Sequence, residues 1–301
     1  MLQNFDIVVV GNVGIDTNVY LEKAEIDFRV EANFTTNADY LGQAGGYGAR
    51  GFASLGYRTA FIGYIGNDYH GEFIRRTFAK DGINTDGLFI DPAGTSRSIN
   101  FIYPDGKRKN FYDGKSHMVL KPDLALCHQI LKKTKLVHFN IPNWARYLLP
   151  MAKELNIPIS VDLQDIVDPN DPYRQDFIQY ADVIFFSNVN FDHPKIVMNT
   201  IENRYQGKII ISGMGQQGCA FQKDNQIHYY NPIDFGGPVV DTNGAGDGLA
   251  VGFLSQYFLE KQTLESALKA AQIVARFTCS QKATTDNLIK KEILTDILSK
   301  L

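Results

Sequence analysis

The chain of 301 residues has little cysteine, only Cys127, Cys219 and Cys279. They lie too far apart for a CxxC metal or redox motif, and so sparse and odd a count excludes a disulfide framework and fits a reducing compartment. It has no excess of charge: 30 Lys and Arg against 33 Asp and Glu give a net charge of −3, which argues against capture by nucleic acid or an anionic membrane. No apolar run approaches 18 residues, so no membrane span is expected. The first apolar run, Phe5–Val10, has no basic stretch before it, so no signal peptide is expected. Repeats and low-complexity tracts are absent. The six histidines show neither HExxH nor any paired spacing, which argues against a histidine metal site. There is no GxxxxGK[ST] and no GxSxG, so neither a P-loop enzyme nor a nucleophile-elbow esterase is expected. A soluble, cytoplasmic, globular protein is the expectation.

What the chain does have is alternation. Phe5–Val10, Arg58–Ile65, Lys135–Phe139, Ile157–Val161, Asp182–Phe186 and Lys208–Ile211 are short apolar or β-branched runs that read as buried parallel strands. Helical stretches fall between them at Gly71–Asp81, Trp144–Leu155 and Lys195–Tyr205, and the spacing argues a layered α/β fold with right-handed crossovers. Two segments break the rhythm: Asn18–Phe34, and Ser96–Asp113, in which two strand-like runs flank a Pro-Asp-Gly turn. Both are expected to form a small β extension over a site. Beyond Pro238 there is no proline, and Gly244–Leu259, Leu264–Lys282 and Leu288–Leu301 read as successive helices. No linker divides the chain, so one domain over 1–301 is expected, with lid segments near 18–34 and 96–113.

The glycines fall in four constellations. Gly213-Met214-Gly215-Gln216-Gln217-Gly218 is a literal GxGxxG after a strand, but the residues beyond it read as strand, turn and strand. A dinucleotide fingerprint must open a helix that receives the pyrophosphate, so a nicotinamide enzyme is disfavoured. Asp241-Thr242-Asn243-Gly244-Ala245-Gly246-Asp247 runs straight into an amphipathic helix. Small residues there let backbone N–H groups crowd at a helix N-terminus that favours an anion, and Asp247 shares the same turn. A carboxylate there can be a mere cap. An anion nest and a carboxylate in one turn also suit phosphoryl transfer, which needs donors for the phosphate and a base for the attacking hydroxyl. Gly11 through Asp16 sits at the carboxyl end of the first strand, where open α/β sheets bind ligands. Gly42 through Gly51 holds five glycines before a short helix, which suggests close backbone approach to a ligand.

Taken together, these residues resemble the ribokinase-like (PfkB) carbohydrate kinase family. Asp241–Asp247 resembles its DTxGAGD signature in full, Phe61–Asp68 with Gly71 its strand and Gly-Asp-x-x-Gly stretch, and Ser212–Gly218 its nucleotide loop. The likeness spans nearly the whole chain. It implies a ribokinase-like three-layer α/β sandwich with a mostly parallel central sheet and a β lid. It also implies Asp247 as catalytic base, with Gly244, Ala245 and Gly246 as anion hole. Asn12, Asp16, Gly45, Gly46 and Tyr47 would line the acceptor. Asn188, Ser212, Gly213, Gly215, Gly218 and Gly246 would line the nucleotide. ATP and Mg²⁺ are implied, and in some members a monovalent cation such as K⁺ near Asp241.

Two departures stand out. The family's Asn-x-x-Glu falls on Asn188–Phe191, so Phe191 replaces the Glu. Its Gly-Gly-x-x-x-Asn falls on Gly42–Tyr47, so Gln43 replaces the second Gly and Tyr47 the Asn. A tyrosine trades an amide's polar readout for an apolar ring face, which predicts poor use of free ribose and better use of a nucleoside or substituted sugar. The expected function is ATP-dependent phosphorylation of a primary hydroxyl on a sugar or nucleoside-like acceptor, with a homodimer through the lid as a further partner. The competing reading is a non-catalytic or weakly active binding relative.

Overall fold

The computed structural model describes residues 4–105, 108–282 and 285–301. Thirteen strands form two sheets among these residues. They are β1 (Ile7–Val10), β2 (Gly14–Leu21), β3 (Thr35–Gly42), β4 (Thr59–Ile65), β5 (Asn84–Ile90), β6 (Ser96–Ile102), β7 (Arg108–Asp113), β8 (Val137–Phe139), β9 (Ile159–Asp165), β10 (Val183–Ser187), β11 (Ile209–Gly213), β12 (Cys219–Lys223) and β13 (Gln226–Tyr230). The large sheet runs β13-β12-β11-β10-β9-β8-β1-β4-β5. It is parallel from β11 to β5, with β12 and β13 antiparallel at one edge. The small sheet runs β3-β2-β6-β7.

The central strands read as unbroken apolar runs because both their faces are buried. In β1, Ile7 and Val9 pack into one hydrophobic cluster while Val8 and Val10 pack into the other. Helices α1 (Ala44–Ser54), α2 (Tyr69–Lys80), α7 (Ala245–Leu254), α8 (Leu264–Cys279) and α9 (Lys291–Ser299) cover the first face. On the second lie α3 (Leu124–Leu131), α4 (Leu149–Glu154), α5 (Pro172–Tyr180) and α6 (Lys195–Arg204). The three-layer α/β sandwich read from the sequence is what forms. No helix among the described residues is long and apolar enough to cross a membrane.

Three expectations shift. The Gly42–Gly51 stretch does not precede its helix but enters it: α1 starts at Ala44. Gly45 meets the Asn12 carbonyl, where a Cβ would stand at 2.5 Å, and Gly51 would meet Val251 of α7 at 2.9 Å. Those glycines serve helix packing. The helix expected over Gly244–Leu259 becomes α7 plus a π-helical turn at Ser255–Leu259. The first lid segment moves as well. Its strands are β2 and β3, and residues 22–34 between them form a loop. The alternation misled because β2 turns polar Asp16 and Asn18 inward, both buried. The second segment forms β6 and β7 as expected, though Gly106 of its turn lies outside the described residues.

Candidate active site

Register decides what the small sheet presents. Asp16 of β2 stands opposite Tyr40 of β3 and Ser98 of β6, and Asn18 opposite Asn100, which pairs in turn with Asn110 of β7. Because strand side chains alternate, Asp16, Asn18, Tyr20, Ser98, Asn100, Arg108, Asn110 and Tyr112 share one face. That face lies over the carboxyl ends of the large sheet and the start of α7. Asn110 donates to Asn100 (2.8 Å), Asn100 to Asn18 (3.0 Å), and Asn18 to Asp241 Oδ2 (2.5 Å). This line of amides ties the lid to the loop before α7.

Asp16 is buried and sits at the centre. Its Oδ2 accepts from Asn243 Nδ2 (3.0 Å), the Tyr47 hydroxyl (3.2 Å) and the Gln43 N–H (3.4 Å), while Oδ1 is buried without a hydrogen-bond partner. Burial raises its pKa, opposed by the Asn243, Gln43 and Tyr47 bonds and by the Arg108 charge. Tyr47 lays its ring against Gly244, whose φ of 79° and lack of a Cβ permit the approach, and its hydroxyl accepts from Asn243 Nδ2 (2.8 Å). A carboxamide, that of Asn243, thus stands at the Tyr47 hydroxyl. Gln43 holds φ at 63°, a left-handed conformation that a glycine would adopt freely.

At α7 the N-terminus is capped by Gly244 without a side-chain bond, and the Ala245 N–H meets the Thr242 carbonyl (3.3 Å). Nothing stands within 4 Å of where a Gly246 Cβ would be. Asp247 Oδ1 is shut off from solvent and unpartnered. Burial raises the Asp247 pKa well above the carboxylate range, and the neighbouring Asp162 charge raises it further, with Arg108 opposing. Asp162, in the middle of β9, is pushed by burial to about 6 against its Gln164 N–H bond. Arg108 reaches from β7 to donate to the Asn243 side-chain Oδ1.

The expected nucleotide residues gather at the ends of β10 and β11. Asn188 donates to the Phe191 carbonyl (2.9 Å) with Oδ1 unpartnered, and Ser212 Oγ is buried and unpartnered. Gly213 ends β11, while Gly215 and Gly218 take φ of 57° and 87° in the turn before β12. Strand, turn and strand replace any dinucleotide helix. Phe191 packs into the second core cluster, and Asp192 is exposed. Gly46, expected at the acceptor, instead faces Leu41 and Val13.

Asp241, where the resemblance implies a monovalent cation, accepts from Asn18, Tyr20 (3.0 Å) and the Asn243 N–H (2.9 Å), and burial still raises its pKa. No cluster of three His, Cys, Asp or Glu able to hold a metal occurs among the described residues. Mg²⁺ fits differently, since it takes one or two carboxylates plus substrate phosphates. Buried Asp162 and half-buried Asp247, whose pKa the Asp162 charge helps to raise, offer that set.

Sequence reasoning missed Arg108, Asp162 and the role of Asn243. Asp162 directly follows the apolar run Ile157–Val161 within a parallel strand, and open α/β sheets bind ligands toward the carboxyl ends of such strands, so a signal existed. Arg108 needed the lid register.

The model of the family described as pfkB family carbohydrate kinase matches residues 4–291. The chain is 26% identical over 300 residues to acarbose 7(IV)-phosphotransferase of Actinoplanes sp., covering 98% of each. It superposes on the solved structure of a microbiome-derived acarbose kinase with a TM-score of 0.89, at 28% identity, covering 98% of this chain and 99% of that one. Arabidopsis thaliana ribokinase, solved with ribose and ATP, matches with a TM-score of 0.82 at 19% identity over 99% of each chain, a likeness of fold.

Proposed function

Since this chain belongs to the pfkB family of carbohydrate kinases, phosphotransferases that act on sugar hydroxyls, we propose that it moves the γ-phosphoryl group of ATP to a primary hydroxyl of a neutral sugar, with Asp247 as base. One observation carries the reading: a half-buried aspartate with a raised pKa, its Oδ1 shut off from solvent and unpartnered, lies in the first turn of a helix whose N-terminus no side chain caps.

Asp16, Asn12 and Asn243 hold the acceptor so that one hydroxyl faces Asp247. As that oxygen attacks the γ-phosphorus, its proton passes to Asp247, the new O–P bond forms, and the bond to the β-phosphate oxygen breaks to release ADP. A raised pKa suits Asp247 to this, because a base works best when its pKa lies near the working pH. Backbone N–H groups at Gly244, Ala245 and Gly246 receive the charge spread over the transferring oxygens. Arg108, delivered by the lid, adds a cation beside three carboxylates. Ser212, Gly213, Gly215 and Gly218 line the nucleotide, with Asn188 near its phosphates. When bound, Mg²⁺ would neutralise phosphate charge, and Asp162 would hold it.

The outer lid face leaves Ile99 and Phe111 exposed, with the Phe101 and Phe111 rings 5.7 Å apart; we read it as the contact with a second copy, which sedimentation equilibrium would show as a dimer. The test of function is acceptor-dependent ADP release across a panel of sugars and nucleosides. Release with at least one sugar, abolished in Asp247→Asn, supports the reading; no release with any acceptor refutes it.

A further inference from the structure

The lid grips Asn243 twice. From β7, Arg108 donates to its side-chain Oδ1 across 135 positions of chain. From the same strand, Asn110 starts the line of amides through Asn100 and Asn18 that ends on Asp241 Oδ2, while Asp241 Oδ1 accepts the Asn243 N–H (2.9 Å). One buried residue is thus fixed from the lid at its backbone and at its side chain.

The other end of the same carboxamide faces the acceptor residues. Asn243 Nδ2 donates to Asp16 Oδ2 (3.0 Å) and to the hydroxyls of Tyr47 (2.8 Å) and Tyr40 (3.2 Å). A guanidinium can only donate and an ionised carboxylate can only accept. A carboxamide between them has one permitted orientation, because turned about it would set N–H against N–H at Arg108 and oxygen against oxygen at Asp16. Both contacts have a charged partner, which makes them the stronger class of hydrogen bond. With Oδ2 taken by Asn243, Tyr47 and the Gln43 N–H, Asp16 keeps Oδ1 without a partner. That oxygen is the one left for an acceptor hydroxyl. Gly244, the cap of α7, follows directly, so the residue that orients Asp16 also leads into the proposed anion nest.

We infer that Arg108 is a positioning residue that acts through Asn243: with the lid down, Arg108 fixes the Asn243 carboxamide, and the carboxamide holds Asp16 with Oδ1 toward the acceptor. The inference rests on the kinase reading and deepens it.

A double-mutant cycle separates action through Asn243 from a direct effect of the guanidinium. Arg108 is exposed on β7, so replacing it disturbs no core. With fructose, glucose or maltotriose as acceptor, whichever supports ADP release, Arg108→Met should raise acceptor KM about tenfold, the equivalent of about 1.4 kcal/mol. Turnover and the KM for ATP should stay within about twofold. In the Asn243→Ala background the same change should alter acceptor KM by less than about twofold; Asn243→Ser serves instead if the alanine variant is too slow to measure. Arg108→Lys, which still donates, should recover most of the loss. Equal effects in both backgrounds overturn the inference, as does a loss confined to kcat or to ATP, which would place the guanidinium on the phosphoryl group.

Hydrogen exchange runs the same cycle without turnover. In the ligand-free protein Arg108→Met and Asn243→Ala should each speed exchange of the β7 amides several-fold, and the double variant no further. Additive acceleration, or none, also overturns the inference. Non-additive exchange without phosphorylation of any sugar removes the kinase reading and leaves the coupling of Arg108 to Asn243 intact. Sugar phosphorylation with additive effects does the reverse.

Discussion

Replacing Asp162 by Asn should stabilise the free protein at neutral pH while reducing its activity. Asp162 is 6% exposed, and burial lifts its pKa from the ordinary 3.8 to about 6. At about 1.4 kcal/mol per pKa unit the difference is about 3 kcal/mol. Between pH 4 and 6 the unfolded chain has released this proton while the folded chain keeps it, so raising the pH favours unfolding. Above pH 6 both states are ionised and the whole cost is present. Asn keeps the shape, and its carbonyl oxygen can still accept the Gln164 N–H bond (2.8 Å). The gain from Asp162→Asn should therefore be about 3 kcal/mol at pH 8 and shrink to about 1 kcal/mol at pH 4.5. Urea unfolding in EDTA at the two pH values measures both. The same substitution removes the charge that helps raise Asp247, so the acid limb of kcat/KM should move to lower pH. An equal gain at both pH values, or a loss at pH 8, would refute the argument that Asp162 is a costly buried carboxylate retained for the site.

Four further outcomes rest on the same geometry. Asp247→Asn should keep nucleotide binding and fold but lose about 10²–10⁴-fold in turnover, the contribution of a positioned base; near-wild-type turnover would remove that assignment. Gly246→Ala and Gly252→Ala should part company in paired melting and activity measurements. The first has open space for its methyl and should stabilise α7 by up to about 1 kcal/mol while obstructing the phosphate. The second would put Cβ 2.5 Å from the Ala270 carbonyl oxygen and should cost about 1–3 kcal/mol by overpacking α7 against α8. Tyr47→Phe, which deletes the hydroxyl bonded to Asp16 and Asn243, should raise acceptor KM about tenfold with a smaller effect on kcat. Hydrogen exchange in β6 and β7 should slow when acceptor binds under the lid, and unchanged exchange would make the small sheet a fixed wall.

Much of this molecule is legible in one dimension. The central strands could be read because both faces of a parallel sheet are buried, so Ile7–Val10 and Val183–Phe186 carry no polar interruption. β5 (NTDGLFI) at the sheet's end and α5 (PYRQDFIQY) on its surface escaped notice, since partial exposure dilutes both periodicities. The anion nest was readable for a covalent reason: Gly244 to Asp247 act within one turn, so their spacing in sequence is their spacing in space.

The acceptor site was not readable in that way. Asp16, Tyr47, Arg108, Asp162 and Asn243 come from β2, α1, β7, β9 and the loop before α7, and their union depends on strand register and sheet order. A tyrosine in place of the expected asparagine looked like a loss of polar recognition. The fold answered it by bringing Asn243, 196 positions away, to 2.8 Å from the Tyr47 hydroxyl. The glycines of α1 looked like a ligand cradle, yet Gly45 and Gly51 serve contacts with Asn12 and α7. Sequence alone thus determined the layers and the glycine turn proposed to receive phosphate, because period and local spacing are properties of contiguous chain. Which side chains gather around Asp16 was decided only by tertiary structure, because a burial pattern records that a residue turns inward and not what it turns toward.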